Sequence, residues 1–190
     1  MLEELVRLDK ELFLFLNNLG TAQWDGFWLF MTNKWSSIPL YLVLAFMTYR
    51  AYGLKRLLMA LAAIALVVLV TDQTANFFKY GVQRLRPCHD LEISGLMRLV
   101  KSSCGGKFGY FSAHAANSFA VALFFSVQLR QKYRYIGWML AVWALLVAYS
   151  RIYIGVHFPL DVLTGMLVGL FYGGLFAKLF SKVVAKYDPI

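Results

Sequence analysis

The sequence predicts an all-α membrane protein: a polytopic bundle of about five transmembrane helices, preceded by an amphipathic helix at the interface. Three observations carry that expectation. The 190-residue chain is 60% hydrophobic and 17% aromatic but only 15% charged, whereas soluble domains are roughly half apolar. Apolar runs near the length that spans a bilayer, about 20 residues, recur along it. No strand pattern or internal repeat competes with them. A domain this small cannot bury so much apolar surface in itself, so lipid must cover part of it. The length suits one membrane domain over residues 1–190.

The net charge of +9 would suggest nucleic acid in a soluble protein. Here the basic residues gather at the ends of apolar runs. They point to membrane topology and an anionic membrane-borne substrate, and away from nucleic acid.

Residues 1–20 open with acids rather than a basic stretch, so no cleavable leader is expected. Leu2, Leu5, Leu8, Leu12, Phe13 and Leu16 recur at helical spacing, and Asp9, Lys10 and Glu11 interrupt them. This pattern fits an interfacial helix; an ordinary helix packed on the bundle is the alternative. Five apolar runs follow: Phe27 to Tyr49, Leu57 to Phe78, Ala113 to Leu129, Tyr135 to Tyr153 and Phe158 to Phe180. The first is the weakest, broken by Asn33 and Lys34 and holding Pro39. In the last, Gly165, Gly169 and Gly173 fall every fourth residue, a spacing that lets helices approach closely within a bundle.

Charge sets the orientation. Arg50, Lys55 and Arg56, then Arg130, Lys132 and Arg134, then Lys178, Lys182 and Lys186 share one face if there are five spans. The positive-inside rule makes that face cytoplasmic. The 79–112 connection then faces outward. A loop of this length is usually functional. It holds Cys88 and Cys104, which either pair on an oxidising face or stay as two thiols. Two cysteines alone do not make a zinc site.

Three clusters near the ends of the runs carry chemistry, since ionisable groups at a membrane are costly and usually functional. Lys79 and Arg86-Pro87 come first. Asp72, Asn76, Lys79, Gln83 and Arg86 would share one helix face ended by Pro87, and two cations on one face bind a dianion. Ser112-Ala113-His114 comes second: a capping serine, a helix N-terminus open to anions and a first-turn imidazole. Third are Ser150-Arg151, His157 and Asp161. An aspartate one turn from a histidine fixes its tautomer and leaves the other nitrogen nucleophilic. Arg151 suits bidentate grip on phosphate oxygens. Asp72, deep in the second run, either pairs with a basic site residue or bonds within the bundle.

Together the clusters resemble the signature of the type 2 phosphatidic acid phosphatase (PAP2) family, K-x6-R-P, P-S-G-H and S-R-x5-H-x3-D. The first and third match fully; in the second, Phe111 stands for Pro and Ala113 for Gly. The resemblance implies the fold shared by that family and the vanadium haloperoxidases. It also implies hydrolysis of a lipid phosphomonoester or diphosphate through a phosphohistidine. His157 would be the nucleophile, Asp161 its orienting partner and His114 the general acid. Lys79, Arg86, Arg151, Ser112 and the Ala113 amide would cradle phosphate, with no metal or other cofactor. For a compact chain in a bacterial inner membrane with an outward site, undecaprenyl diphosphate is the first substrate expected. Lipid A phosphate and phosphatidylglycerol phosphate are the alternatives. A vanadium haloperoxidase is a rival of another class, but those enzymes are soluble. A non-catalytic lipid-binding protein would not need the full set of reactive residues.

Overall fold

Inside a bilayer every backbone amide must be satisfied within its own segment or closed sheet, and this chain meets that demand with helices. The computed structural model describes residues 1–187; the last three residues of the expected 1–190 domain lie outside the described residues. The helices are α1 (Leu2–Asn18), α2 (Ala22–Thr32), α3 (Ile38–Val82), α4 (Ala113–Leu129), α5 (Ile136–Tyr153) and α6 (Pro159–Tyr187). Strand pairing among the described residues amounts to one isolated bridge, Leu85 to Phe108.

At 45 residues, a straight α3 would be about 68 Å long, more than twice a hydrocarbon core of about 30 Å. It is not straight. Gly53 adopts φ 81° and ψ 177°, a backbone state open mainly to glycine, and splits α3 into two arms. Tyr41 on the first arm and Leu61, Ile64 and Asp72 on the second line one cavity, so the chain folds back on itself. With α4, α5 and α6 this makes five apolar passes. Their outer faces expose Leu58, Leu69, Trp138, Met139 and Phe171, side chains that lipid covers.

The first pass does not run from Phe27 to Tyr49. Asn33 turns extended and accepts from the Trp35 amide, and a 3-10 turn (Lys34–Ser37) follows. The membrane helix starts only at Ile38, with Pro39 in its first turn, where a missing donor costs nothing. Residues 22–32 form the separate α2. The helix face expected from Asp72 through Arg86 is also cut short. α3 closes at Val82, Gln83 is left-handed at φ 54°, and Arg86 is extended at ψ 157°. A residue before proline is pushed out of the helical region.

The bundle is tightest where α6 crosses α4. A Cβ at Gly165 would sit 2.5 Å from the Ser112 carbonyl, and one at Gly173 2.6 Å from that of Ala120; one at Gly169 would overlap the Ala116 carbonyl. Only hydrogen fits at these positions. α1 turns Asp9, Phe13 and Asn17 inward at a spacing of four and leaves Leu2, Leu5, Leu8 and Leu12 outward. Asn17 seats it: Nδ2 donates to the carbonyls of Tyr153 (2.8 Å), Ile152 and Arg98, and Oδ1 accepts from the Arg98 amide at 2.7 Å. The helix is therefore packed on the bundle through one face and presents leucines on the other. Arg56, Arg130 and Ser181 line a cavity at the opposite end, where Lys55 also bonds the Tyr187 carbonyl at 2.6 Å.

Gly169→Leu should therefore unfold the bundle or lower its thermal midpoint sharply, although leucine is the better helix former by about 1 kcal/mol. Gly26→Ala, where no atom lies within 4 Å of the added carbon, is the matched control and should leave the midpoint in place. Melting of the detergent-solubilised protein reads both.

Candidate active site

Three separate segments deliver their side chains to one cavity. It has a volume of about 600 Å³ and takes Lys79 and Asp72 from α3, Arg86 from the loop, Ala113 and His114 from α4, Arg151 from α5 and His157 from the turn before α6. Lys79 reaches it from the last turn of α3.

Arg86 is held by backbone. Its Nε donates to the Phe108 carbonyl at 3.3 Å, and Nη1 to Cys104 (3.3 Å) and Val156 (3.4 Å). The segment behind it pairs with the returning chain, Arg86 N to Lys107 O at 3.1 Å and Gly109 N to Arg84 O at 2.9 Å. Cys88 and Cys104 are joined as a disulfide across this same loop, their Cα atoms 6.4 Å apart. Burial draws the Arg86 pKa below the ordinary guanidinium value, against the pull of Asp161.

Ser112 caps α4: its hydroxyl accepts from the Ala115 amide at 3.4 Å, and its own amide donates to the Asp161 carbonyl at 2.9 Å. It is fully buried and does not line the cavity, whereas Ala113 and His114 do. Phe111 fills a small cluster with Ala75 and Ala116, its ring 5.9 Å from that of Phe78. Arg151 is buried at 6% exposure. Its Nη1 donates to Thr32 of α2, and its Nε has no partner among the described residues. A buried donor left open in a cavity is a position a ligand can satisfy.

His157 is 2% exposed. Its Nδ1 lies 3.7 Å from Asp161 Oδ2, an ion-pair distance too long for a hydrogen bond, and the Gly109 backbone lies against the ring. The Asp161 carboxylate is engaged elsewhere: Oδ2 accepts from the Phe158 amide at 3.1 Å and Oδ1 from Arg84 Nη1 at 2.8 Å. Burial first, then Arg151, Arg86 and Lys79, push the His157 pKa well below the ordinary imidazole value. The ring is thus neutral at neutral pH, with a free electron pair beside three cations. Such an arrangement of cations and a neutral imidazole can hold a tetrahedral anion against a ring nitrogen.

Arg84 and Asp9 escaped the sequence reading. Arg84 lies over the Phe158 ring at 4.3 Å and joins Asp161 to Asp9, whose Oδ2 it meets at 2.5 Å; Asp9 Oδ1 accepts from the Leu160 amide at 2.9 Å. An acid inside an otherwise leucine-lined helix was the signal for Asp9, and a third cation between Lys79 and Arg86 was the signal for Arg84. Thr32 carried no signal. Asp72 bonds within the bundle, accepting from Asn117 Nδ2 at 2.8 Å.

The chain is similar to several known proteins. A lipid A 4'-phosphatase of Bacteroides thetaiotaomicron is 35% identical over 170 residues, 88% of this chain and 75% of the relative. A second, from Porphyromonas gingivalis, is 34% identical over 88% of this chain and 70% of the relative. An undecaprenyl-diphosphatase of Sulfolobus acidocaldarius is 29% identical over 87% and 75%. The crystal structure of Aquifex aeolicus LpxE superposes with a TM-score of 0.66 at 28% identity, covering 88% of this chain and 93% of that one. A transmembrane PAP2-type phosphatidylglycerolphosphate phosphatase from Bacillus subtilis shares the fold, with a TM-score of 0.74 at 21% identity over 97% and 90%. The model of the PAP2 superfamily matches residues 53–185, from the bend of α3 to near the end of α6. Five apolar passes and a buried histidine among cations thus meet a family match over most of the length, and the chain belongs to the PAP2 superfamily, as an integral membrane enzyme that hydrolyses phosphoric esters.

Proposed function

We propose that the chain removes a phosphate from a lipid A-type glycolipid, through a phosphohistidine and without a metal. One observation carries the chemistry: Lys79, Arg86, Arg151, His114 and His157 open onto a single cavity at one end of a membrane bundle. The substrate class follows the relatives. Sequence alone puts undecaprenyl diphosphate first, but the two lipid A 4'-phosphatases, at 35% and 34% identity, favour the lipid A alternative over the undecaprenyl-diphosphatase at 29%. The phosphatidylglycerol phosphate alternative has support only at the level of fold.

In this reading Lys79, Arg86 and Arg151 neutralise the phosphate oxygens, the task a divalent ion performs elsewhere. The Ala113 amide, at the start of α4, adds a helix N-terminus; Ser112 contributes by fixing that terminus, its hydroxyl being spent on the cap. His157 Nε2 attacks phosphorus while the bond to the leaving oxygen breaks. His114 gives that oxygen a proton, so the dephosphorylated lipid leaves as an alcohol. His114 then takes a proton from water, which attacks the phosphohistidine and releases inorganic phosphate. Asp161 steadies the imidazolium side of His157 as charge develops there, and Arg84 with Asp9 holds Asp161. The site sits at the outer face of an inner membrane: the basic clusters at Arg56 and Arg130 share the other end of the bundle. The lipid tail stays in the bilayer throughout.

The decisive experiment is phosphate release by the purified protein from a panel: lipid A, undecaprenyl diphosphate and phosphatidylglycerol phosphate, each with and without chelator. We expect lipid A to give the highest kcat/KM and chelator to leave it unchanged. A preference for the polyprenyl substrate would return the first expectation to favour.

His157→Ala should lower kcat by roughly 10⁴-fold or more, as removing a nucleophile does, and should abolish acid-labile, base-stable labelling from a radioactive phosphate donor. The pH profile tests the same residue. Attack needs the neutral ring. A pKa held below the usual value near 6.5 keeps it neutral as pH falls, so the acid limb of kcat/KM belongs below that value. Bound phosphate offsets the cations and raises the His157 pKa, so the acid limb of kcat should lie at higher pH than that of kcat/KM.

A further inference from the structure

The cavity does not stop at the phosphate clamp. It is also lined by Leu61, Val68 and Val121, and by Tyr41 and Trp143, whose ring centroids are 6.1 Å apart. Hydrocarbon suits those walls. One polar station interrupts them: Asp72 on α3 and Asn117 on α4, both lining the cavity and bonded to each other at 2.8 Å.

The bond fixes the orientation of the amide. A carboxylate only accepts, so the Asn117 nitrogen must face it. Asn117 Oδ1 then points elsewhere; it is buried and has no partner among the described residues. The second Asp72 oxygen receives nothing from Asn117. The station therefore presents two acceptor oxygens, Asn117 Oδ1 and the second oxygen of Asp72, beside the remaining Asn117 N–H. Its depth is set by helix geometry. Asn117 lies three residues inward of His114, and Asp72 seven residues inward of Lys79, or about 5 and 10 Å along their axes at 1.5 Å per residue. A group held there belongs to the same molecule as the phosphate in the clamp and sits directly behind it.

We infer that Asp72 and Asn117 form a headgroup subsite that accepts hydrogen bonds from a hydroxyl or amide N–H on the substrate, next to its phosphate. This deepens the lipid A-type reading and rests on it: a phosphate carried on a hydroxylated, N-acylated sugar brings such donors, and a polyprenyl phosphate brings only C–H. Anionic groups are turned away by Asp72 and drawn to the cations above it. A chain of hydrocarbon seated across the station would leave Asn117 Oδ1 unpaired and strip water from a carboxylate. Sites built to bond a hydroxyl discriminate strongly against the analogue lacking it for this reason. The subsite thus makes the enzyme selective for what surrounds the phosphate as well as for the phosphate itself.

The test uses twin phosphomonoesters of equal chain length, an alkyl phosphate and its analogue with a hydroxyl or acylamide on the carbon next to the ester. The intact wild-type enzyme is assayed in detergent, alongside lipid A and undecaprenyl phosphate. We expect the donor-bearing twin to have the higher kcat/KM by about tenfold or more, and Asn117→Leu and Asp72→Leu each to bring the ratio of the twins down towards one. Equal wild-type rates on the twins overturn the subsite without any variant being needed. A ratio unchanged in both variants, with rates on both twins falling together, also overturns it and makes the pair a clip between α3 and α4. The lipid A reading fails separately, on the natural lipids: an enzyme that ignores lipid A yet still prefers the donor-bearing twin keeps the subsite and loses that substrate.

Discussion

The structure depends on how a carboxylate is kept charged out of reach of water. Asp161 is fully buried, and an isolated buried carboxylate would be prohibitively costly. Arg84 and the Phe158 amide meet its two oxygens, and the Asp161 carbonyl in turn accepts from Ser112. That last bond ties a residue in the first turn of α6 to the cap of α4, so the two histidines, one on each side, are registered against each other. The glycines of α6 make the approach possible, and Arg84, flat on Phe158, carries the frame outward to Asp9 on α1. Removing one partner from such a network leaves the others buried without compensation, which is why it holds together as a unit.

Charge is divided between the two ends of the molecule. At one end cations converge on a cavity and are partly stripped of water, so they act strongly on an anion and on the imidazole beside it. At the other, Arg56 and Arg130 sit among Tyr52, Gln128 and Ser181, and the remaining basic residues there face outward. The same residue types thus line a buried cavity in one place and a largely exposed rim in the other, and their surroundings distinguish them.

Much of this was legible in the sequence because membrane helices announce themselves by length and apolarity. The bounds of α4 are those expected, and α5 differs by one residue. The clustering of Lys79, Arg86, Ala113, His114, Arg151 and His157 around one cavity was anticipated by motif spacing, although their chemical roles rest on the proposed mechanism. What was not legible has physical causes. Periodicity cannot tell a continuous apolar run from one broken by an Asn33 turn, so α2 was merged with the first arm of α3. Helical spacing placed Gln83 and Arg86 on a face that the left-handed Gln83 removes. Ser112 was expected to cradle phosphate; its hydroxyl accepts from the Ala115 amide at the start of α4, and it is absent from the lining of the cavity. Arg84 and Asp9 lie 75 residues apart, and no local pattern connects them. Asp72 found its partner on another helix, a pairing that one sequence does not display.

The contact between Asp9 and the Leu160 amide spans 151 positions. Ribosomes deliver the chain from its amino end, and distant pairings form last. While α1 to α4 are being inserted, Arg84 and Asp9 have no Asp161 to meet, and the cavity has Lys79 and Arg86 but no His157. Only when the final helix settles beside α4 does the imidazole arrive and the frame close. Under the proposed mechanism a prematurely ended polypeptide that lacks the last helix is hydrolytically silent, because the proposed nucleophile and its frame arrive together in one late step of biogenesis.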